Sequence, residues 1–461
     1  MKTLSIPVPR VAPDIASLYA GFLLVLAMLF GGGTRQGAWS DVPIELASLP
    51  LLAWAIFSID FGRLGRLARF GFVIMAAIVL IPLVQLIPLP PALWSLLPGR
   101  GAVVDIYAAA GTPLPWLAVS LEPSATWLSL LSLLPAVSIV LAMLVMSNAQ
   151  RWRMVSIVLA AAAAGIVLDL LQIMGGPDSP LRFYTFTNLD RAVGFFANAN
   201  HNAAFLYAAV PLTAAWAKAW ADSRSPFRIV GLVASAALFC AIFVALALTH
   251  SRAGLALGLV AAIVATGLVV GATRGPTRRR VLILGTVANV AALLLAFQTG
   301  FVSLSQRIED QDVFQDLRWP VAESTFKSVK MFFPVGSGLG TFTQVHEMYA
   351  PRTLARQAYV NHAHDDWLEL GLEAGLPAMV LVLGFLAWYA AAAAGAWRPQ
   401  AAGESPANKL LARAASVSVL LILVHSAVDY PLRTIALMMV FAMCCTLMLP
   451  PSPQAAPERG E

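Results

Sequence analysis

Charged side chains are scarce in this chain of 461 residues, because Asp, Glu, Lys and Arg together make up only 12% of it. Soluble globular domains carry about 25% charged residues. Hydrophobic residues reach 59%, which is more than one water-soluble core can bury. The composition excludes a soluble enzyme and a disordered scaffold, and it predicts a polytopic membrane protein.

Cysteine is also rare, and Cys240, Cys444 and Cys445 all lie inside apolar runs. They indicate small packing side chains rather than a disulfide framework or a metal centre. The net charge of +6 would suggest nucleic acid as the partner of a soluble protein. In a membrane protein it indicates basic cytoplasmic loops, so membrane lipids are expected as partners and nucleic acid is not.

Twelve apolar segments approach the roughly 20 residues that a membrane-spanning helix needs. They predict an all-α integral membrane protein with about twelve transmembrane helices. The segments are 14–33, 42–59, 70–89, 124–146, 153–174, 201–220, 228–249, 252–272, 280–299, 366–396, 410–428 and 432–449. The predicted organisation is nine helices in 1–299, a long outer loop in 300–365, three helices in 366–449 and a cytoplasmic tail in 450–461.

The basic residues predict the orientation of these helices. With the N-terminus in the cytoplasm, most Lys and Arg outside the long loop fall in cytoplasmic segments, as the positive-inside rule requires. The longer loops 90–123, 175–200 and 300–365 then face outward. Because function concentrates in loops that a rigid scaffold holds, the site is expected on the extracytoplasmic side.

An unusual polar group follows the long loop. Asp366, Glu369 and Glu373 fall at i, i+3 and i+7, so they share one face of a helix. Glu369 and Glu373 run into an apolar segment, where ionisable groups are costly and usually functional. The alternative is an interfacial helix cap with solvated acids. His364, just before them, is a candidate base, because a neutral imidazole accepts a proton near pH 7.

His362 and Asp365 belong to the same stretch. For His362, an ordinary loop histidine in water is as good an interpretation as any functional role. Two histidines at i, i+2 with adjacent acids match no standard metal-ligand spacing such as H-E-x-x-H. No metal or other cofactor is therefore expected.

Two motifs place arginines at the predicted outer surface. Arg252 begins an apolar segment, and it is either a snorkelling anchor or a cation that pairs with phosphate. Arg191 precedes another segment that opens with Asn200 and His201. This second motif fits an anion site at a helix N-terminus, or an ordinary N-cap with turn residues.

Two weaker motifs follow along the chain. Arg318 precedes a glycine run, 336–340, that resembles a phosphate cradle and fits a tight turn after Pro334 equally well. Asp429, with Tyr430 and Arg433 beside it, marks the turn between the last two apolar segments. That pattern mainly indicates a turn. The alternative is that these residues form one wall of the site.

In this order, the motifs resemble the O-antigen ligase and polymerase superfamily, which includes lipopolysaccharide O-antigen ligases, Wzy-type polymerases and pilin oligosaccharyltransferases. The resemblance covers roughly residues 190–435, and the ordered set is more specific than any single motif. The matching pieces are Arg191-x-x-Gly194 with Asn198-x-Asn200-His201, Ser251-Arg252-x-Gly254, Arg318-Trp319, Gly336-x-Gly338-x-Gly340-x-Phe342, His364-Asp365-x-x-Leu368-x-x-x-x-Glu373-x-Gly375, and Asp429-Tyr430-Pro431-Leu432-Arg433.

The resemblance implies a twelve-span, inverting glycosyltransferase of the GT-C type in the bacterial inner membrane. Such enzymes take a glycan from undecaprenyl diphosphate at the periplasmic face, without a nucleotide sugar or a required metal. It implies catalytic roles for His364, Arg191 and Arg252. The residues expected to bind substrate are Arg318, Asn200, His201, Asp365, Glu369, Glu373 and Arg433. Asp365 departs from the family, whose histidine is followed by Asn, Ser or Gln.

The acceptor stays open at this point. A polymerase transfers the glycan to a second lipid-linked glycan, and a ligase transfers it to a lipid A-core. The alternative from another class is a flippase or transporter of lipid-linked glycans without catalysis. That alternative predicts charges near the bilayer midplane and repeat symmetry, whereas the polar residues here cluster at the predicted outer surface.

Overall fold

The computed structural model describes residues 13–34, 37, 39–309, 313–351, 360–400 and 403–451. Within these ranges, side chains are described except at residues 13, 296, 297 and 299–317. Most of the predicted cytoplasmic tail, 450–461, lies outside the described residues.

Helices form most of the described chain, which confirms the predicted all-α class. In chain order they are α1 (Pro13–Phe30), α2 (Val42–Ser58), α3 (Arg66–Gln85), α4 (Pro91–Trp94), α5 (Gly101–Ala109), α6 (Pro123–Ser132), α7 (Leu134–Val145), α8 (Asn148–Met174), α9 (Ala199–Asp222), α10 (Arg228–Leu248), α11 (Arg252–Gly271), α12 (Thr277–Glu309), α13 (Val313–Phe332), α14 (Phe342–Tyr349), α15 (Asp366–Trp397), α16 (Pro406–His425) and α17 (Ile435–Leu447). Two-residue strands β1 (Pro88–Leu89) and β2 (Leu117–Ala118) pair antiparallel, and 3-10 turns lie at Phe61–Arg63 and Pro431–Arg433.

The described helices confirm a multi-pass membrane protein. Seven spans are long and apolar enough to cross a bilayer, namely α3, α6 with α7, α8, α10, α11, α15 and α16. Helices α1, α2 and α17 are apolar but shorter. The predicted segments 201–220 and 280–299 lie in α9 and α12, which are not among the seven. That the chain crosses the membrane twelve times therefore stays a prediction.

The predicted loop 300–365 contains helices as well as irregular chain. It takes in the end of α12, all of α13 and all of α14. Helix α13 packs against α15 and α14, so this part of the loop is attached to the helix that follows it. The side of the membrane on which the loop lies stays a prediction.

Helix α9 lies at the centre of the fold, packed against α10, α11 and α16. Its first half is almost entirely buried, and many of its side chains are alanine. Small side chains let neighbouring helices approach closely, which matters where lipid supplies no hydrophobic driving force. The Ser418 hydroxyl of α16 donates to the carbonyl of Ala208 in α9 at 2.7 Å. The loop that precedes α9 is therefore attached to a tightly packed helix.

Helix α15 is interrupted at Gly375, whose φ is +55° and ψ is −135°. A side chain there would place its Cβ 2.2 Å from the carbonyl oxygen of Pro334, so glycine is required. The next backbone N–H, at Leu376, donates to that same oxygen at 2.8 Å. The interruption separates the first turns of α15, which carry the acidic residues, from its long apolar remainder.

Candidate functional site

His364 lies in the short segment before α15 and contacts the turn that follows α16. Its Nδ1 is 3.2 Å from Oδ1 of Asp429. A carboxylate bonded to Nδ1–H selects the tautomer whose Nε2 carries the lone pair. The side chain is 26% exposed, so the oriented ring is open to a substrate. The backbone φ of His364 is +56°, in the left-handed region that residues other than glycine seldom adopt.

Asp429 is buried among three histidines. Its Oδ2 lies 4.0 Å from Nε2 of His425, and its side chain is only 1% exposed. Burial alone would raise the pKa of Asp429. The hydrogen bond from His364 and the nearby imidazoles of His201 and His425 instead hold that pKa well below the ordinary value of 3.8. Asp429 therefore stays ionised at neutral pH, as a partner for Nδ1–H must be.

The ring of Tyr430 packs against three imidazoles. Its centroid lies 4.3 Å from that of His362, 4.8 Å from that of His201 and 5.0 Å from that of His364. The Tyr430 hydroxyl accepts a hydrogen bond from Nδ2 of Asn198 at 3.4 Å. Burial raises the pKa of Tyr430, so the phenol stays neutral. The packing limits rotation of the His364 ring and links it to the start of α9.

Arg433 holds three carboxylates of α15. Its Nη1 lies 2.9 Å from Oε2 of Glu373, its Nη2 lies 3.5 Å from Oε1 of Glu369, and its Nε lies 3.4 Å from Oδ1 of Asp366. The acids share one helix face, as their spacing predicts. Burial would lower the pKa of Arg433, but the three carboxylates outweigh it and raise the pKa. This Arg433 cluster, made of Arg433, Asp366, Glu369 and Glu373, ties the 431–433 turn to α15.

Glu373 also closes the glycine-rich loop between α13 and α14. Its Oε1 accepts the backbone N–H of Gly340 at 2.9 Å and that of Phe342 at 3.3 Å. The N–H of Gly338 donates to the carbonyl of Glu373 at 2.8 Å. These amide groups are thus bonded to a carboxylate of the chain itself. The geometry favours the tight-turn interpretation of this loop over the phosphate cradle.

His362 is buried and bonded at both ring nitrogens. Nδ1 lies 2.8 Å from Oε1 of Glu369, and Nε2 lies 3.0 Å from the carbonyl oxygen of Thr34. Both neighbours are acceptors, so both nitrogens must carry a proton. Burial alone would lower the pKa of His362, but the Glu369 carboxylate outweighs it and the pKa lies above 6.5. His362 is therefore a buried group held at both ring nitrogens rather than a loop histidine in water.

Arg191 and Arg252 lie on neighbouring segments. Directly after Arg191, the N–H of Ala192 donates to the carbonyl of Leu248 at 3.0 Å, just before the turn that leads to Arg252. Burial and the positive charge of Arg191 lower the pKa of His250 in that turn. Arg252 is the first residue of α11 and is exposed. The fold thus brings together the two segments that carry the predicted catalytic arginines.

Asn200 and His201, which the sequence predicts as substrate contacts, lie in the first turn of α9. Asn198 is the N-cap residue, and its side chain accepts the N–H of Asn200 at 2.8 Å. His201 is completely buried. Neither ring nitrogen of His201 has a hydrogen-bond partner among the described residues, and its ring edge meets Tyr430. A substrate-binding role for Asn200 and His201 stays a prediction.

Asp365 and Arg318 are two further predicted substrate contacts. Asp365 caps α15, because its Oδ1 accepts the N–H of Trp367 at 2.9 Å and that of Leu368 at 3.0 Å. Arg318 on α13 lies within electrostatic range of His425, and so faces the Asp429 side of the site. Their roles toward a substrate also stay predictions.

A cavity of about 750 Å³ opens beside the Arg433 cluster. Its walls are mostly apolar side chains of α3, α7, α15 and α17, and its polar end includes Asp41, Glu45 and His362. Burial and the neighbouring Glu45 raise the pKa of Asp41 to about 7. Hydrocarbon walls that end in a few polar groups are typical of a site for an apolar ligand with a polar head.

Residues 236–383 match the protein family described as O-Antigen ligase. We call this matched segment the O-antigen ligase domain. The match supports the O-antigen ligase and Wzy-type family that the motifs predict, and the domain contains Arg252, Arg318, His364 and the acids of α15. No curated protein matches the chain with significant similarity.

Several contacts of the site come from outside the O-antigen ligase domain. Arg191, Asp429 and Arg433 all lie beyond it, yet Asp429 and Arg433 contact residues within it. The sequence indicated a turn at Asp429 but not its hydrogen bond to His364. The available signal was the spacing of His425 and Asp429, which at i, i+4 places both on one side of a helix end.

Proposed function

We propose that this protein transfers a glycan from undecaprenyl diphosphate to an acceptor hydroxyl at the periplasmic face of the bacterial inner membrane, in cell-surface polysaccharide synthesis. The observation that carries the proposal is the contact between Nδ1 of His364 and the buried carboxylate of Asp429. It orients a base inside a domain that matches O-antigen ligase. The acceptor is either a second lipid-linked glycan or a lipid A-core.

In the proposed reaction, the acceptor oxygen forms a bond to the anomeric carbon of the donor glycan. The bond from that carbon to the diphosphate oxygen breaks, and its electron pair leaves with undecaprenyl diphosphate. Nε2 of His364 takes the proton of the acceptor hydroxyl, a role that typically contributes roughly 10²–10⁴-fold. Attack from the face opposite the leaving group inverts the anomeric centre.

We assign the leaving diphosphate to Arg191, Arg252 and Arg318. Fixed cations aimed at developing charge are often the largest single term in catalysis. We place the acceptor on the side of the Arg433 cluster, where the cavity offers hydrocarbon walls for its lipid chain. The excess of carboxylates at the polar end of that cavity disfavours a diphosphate there. Asp365, Asn200 and His201 are the remaining residues to which we assign contacts with the substrate.

The test is turnover of an undecaprenyl-diphosphate glycan by purified protein in the presence of EDTA. A second lipid-linked glycan and a lipid A-core are offered in separate reactions. A ladder on the lipid carrier identifies a polymerase, and a shifted lipid A band identifies a ligase. His364→Asn is expected to abolish either product. His346→Asn, which alters a buried histidine of α14 outside the proposed site, is the matched control and is expected to keep activity.

Three outcomes would contradict parts of the proposal. Activity that survives in His364→Asn would contradict the role of His364 as the base. A product that keeps the donor's anomeric configuration, read by NMR, would contradict the inverting step. Absence of any product from the wild type, together with movement of labelled lipid-linked glycan across vesicles that contain the protein, favours a transporter.

A further inference from the structure

Two polar residues of α8, Asp169 and Gln172, lie beneath the segment that carries Arg191. They are one helical turn apart and both are completely buried. Polar side chains inside a membrane-spanning helix are costly, so they commonly have a function or hold neighbouring elements together. Nothing in the proposed reaction uses either residue.

The carboxamide of Gln172 is fully bonded to the backbone of this segment. Its Nε2 donates to the carbonyl oxygens of Leu181 and Gly194, both at 2.9 Å. Its Oε1 accepts the N–H of Gly194 at 3.0 Å and that of Val193 at 3.3 Å. One side chain thus makes the four hydrogen bonds that an amide can make, and three of them reach the two residues that follow Ala192.

The side chains of Arg182 and Asn202 also hold the backbone of the segment that carries Arg191. Arg182 donates through Nη1 to the carbonyl oxygen of Arg191 at 2.9 Å and to that of Asn188 at 2.8 Å. The side chain of Asn202 donates to Oδ1 of Asp169 at 2.8 Å and lies 3.4 Å from the carbonyl oxygen of Ala192. The backbone on both sides of Arg191 is therefore held by α8, by α9 and by its own segment.

Gly194 shows how closely these groups pack. Its φ is +53°, and an added Cβ would lie 2.9 Å from Oδ1 of Asn202 and 3.3 Å from Oδ1 of Asp169. Glycine alone allows the backbone at this position to pack so close to the polar side chains of α8 and α9. This close approach brings the N–H and the carbonyl oxygen of Gly194 within hydrogen-bond distance of the Gln172 amide.

We propose that Gln172 is a positioning residue that fixes the Arg191 guanidinium for the diphosphate of the donor. The inference rests on the role of Arg191 in the proposed function. Gln172 touches no substrate and acts only through the backbone of residues 191–194. Small displacements of a charged group from its productive position are costly, and about 1 Å can lower a rate by roughly 100-fold.

The test is a double-mutant cycle on the affinity of purified full-length protein for undecaprenyl diphosphate. The variants are Gln172→Met, Arg191→Ala and the double variant. Gln172→Met keeps the side-chain volume and removes all four hydrogen bonds, and it is expected to raise the Kd roughly 10- to 100-fold. In the Arg191→Ala background the same change is expected to have little further effect, because coupled residues are not additive.

A rescue variant and a control complete the design. Gln172→Glu keeps two acceptor oxygens for Val193 and Gly194, and its Kd is expected to fall between those of the wild type and Gln172→Met. Gln150→Met alters the glutamine that caps the other end of α8, and it is expected to leave the Kd unchanged. Thermal unfolding of each variant shows whether the protein is folded.

The outcomes separate this inference from the proposed function. Equal effects of Gln172→Met with and without Arg191, or an unchanged Kd in Gln172→Met, overturn the positioning role. An unchanged Kd in Arg191→Ala overturns instead the assignment of Arg191 to the diphosphate.

Discussion

Asp429 determines which chemistry His364 offers. An imidazole that donates from Nδ1 to a carboxylate presents an unprotonated Nε2, which can accept a proton from a hydroxyl. Burial keeps Asp429 from water, and the histidines around it keep it ionised. In the proposed reaction, Asp429 orients the imidazole and His364 transfers the proton.

Replacing Asp429 by asparagine is expected to lower kcat by roughly 10²–10⁴-fold, with a smaller change in KM. The amide keeps the volume of the side chain but no longer selects the Nδ1–H tautomer. Steady-state kinetics of glycan transfer provide the measurement.

The exposed Asp222, at the far end of α9, supplies the control Asp222→Asn, which is expected to keep wild-type kinetics. If Asp429→Asn matched the wild type in kcat, then His364 would not depend on this carboxylate for its orientation.

His362 predicts a pH dependence of stability. Its folded pKa is raised above 6.5, so the stabilisation that it contributes is fully present below pH 6.5 and is lost as the pH rises through the folded pKa. Deprotonation leaves either Glu369 or the Thr34 carbonyl without its donor. The melting temperature of the purified protein is expected to fall on the alkaline side of that range.

In His362→Asn this part of the pH dependence should disappear, because no imidazolium is left to titrate. Melting curves of the wild type and the variant that stay parallel from pH 5.5 to 9 would contradict a cationic His362.

The first turns of α15 depend on a partner from another element. Asp366, Glu369 and Glu373 bring three carboxylates into a buried region, and Arg433 of the 431–433 turn lies among them. A buried charge without a counterion is strongly destabilising. This part of the helix and the turn are therefore expected to form together or not at all.

Arg433→Gln is expected to destabilise the protein by about 3–5 kcal/mol, because it leaves the buried Asp366 and Glu373 without a cation and Glu369 with His362 alone. The free energy of unfolding of Arg433→Lys should lie between those of the wild type and Arg433→Gln, since an ammonium cannot reproduce the forked geometry of the guanidinium. Unfolding in detergent, followed by denaturant titration, provides the measurement.

The exposed Arg63, paired with Asp60 on the surface, gives the control Arg63→Gln, for which a change under about 1 kcal/mol is expected. A similar small change for Arg433→Gln would show that the acids are protonated and need no counterion.

The sequence predicts most of the helices, but it does not predict the contacts between them or the interruption within α15. Hydropathy runs and shared faces depend on residues near each other in sequence, so 228–249, 252–272 and 366–396 agree closely with α10, α11 and α15. The interruption at Gly375 depends on Pro334, forty-one positions earlier, which no local pattern reveals. The glycine run was ambiguous for the same reason, since its partner Glu373 belongs to a later helix.

Across the molecule, the basic residues predict an orientation that the helices alone do not determine. In a Cys240→Ala background, the described residues keep only the buried Cys444 and Cys445 as thiols. Asp178→Cys, in the segment after α8, is expected to react with a membrane-impermeant maleimide added to spheroplasts. Asp222→Cys is expected to react only after permeabilisation, and the opposite pattern would invert the proposed topology.

Residue type and position select His364, the two arginine segments and the acids of α15 as candidates, and their roles stay predictions. The contacts between these candidates could not be predicted. Which group bonds to which depends on the packing of α9, α15 and α16, and the cavity exists only through that packing. Residue type and position do not single out Gln172, because one glutamine leaves an apolar run intact.

The left-handed backbone at His364 limits what can replace it. Alanine in that conformation costs roughly 1–2 kcal/mol, whereas asparagine visits it routinely. An alanine scan at this position would therefore mix the loss of the imidazole with a shift of the segment that leads into α15. Asparagine keeps the turn and removes only the proposed base, so asparagine is the replacement expected to yield a well-folded protein that cannot transfer the glycan.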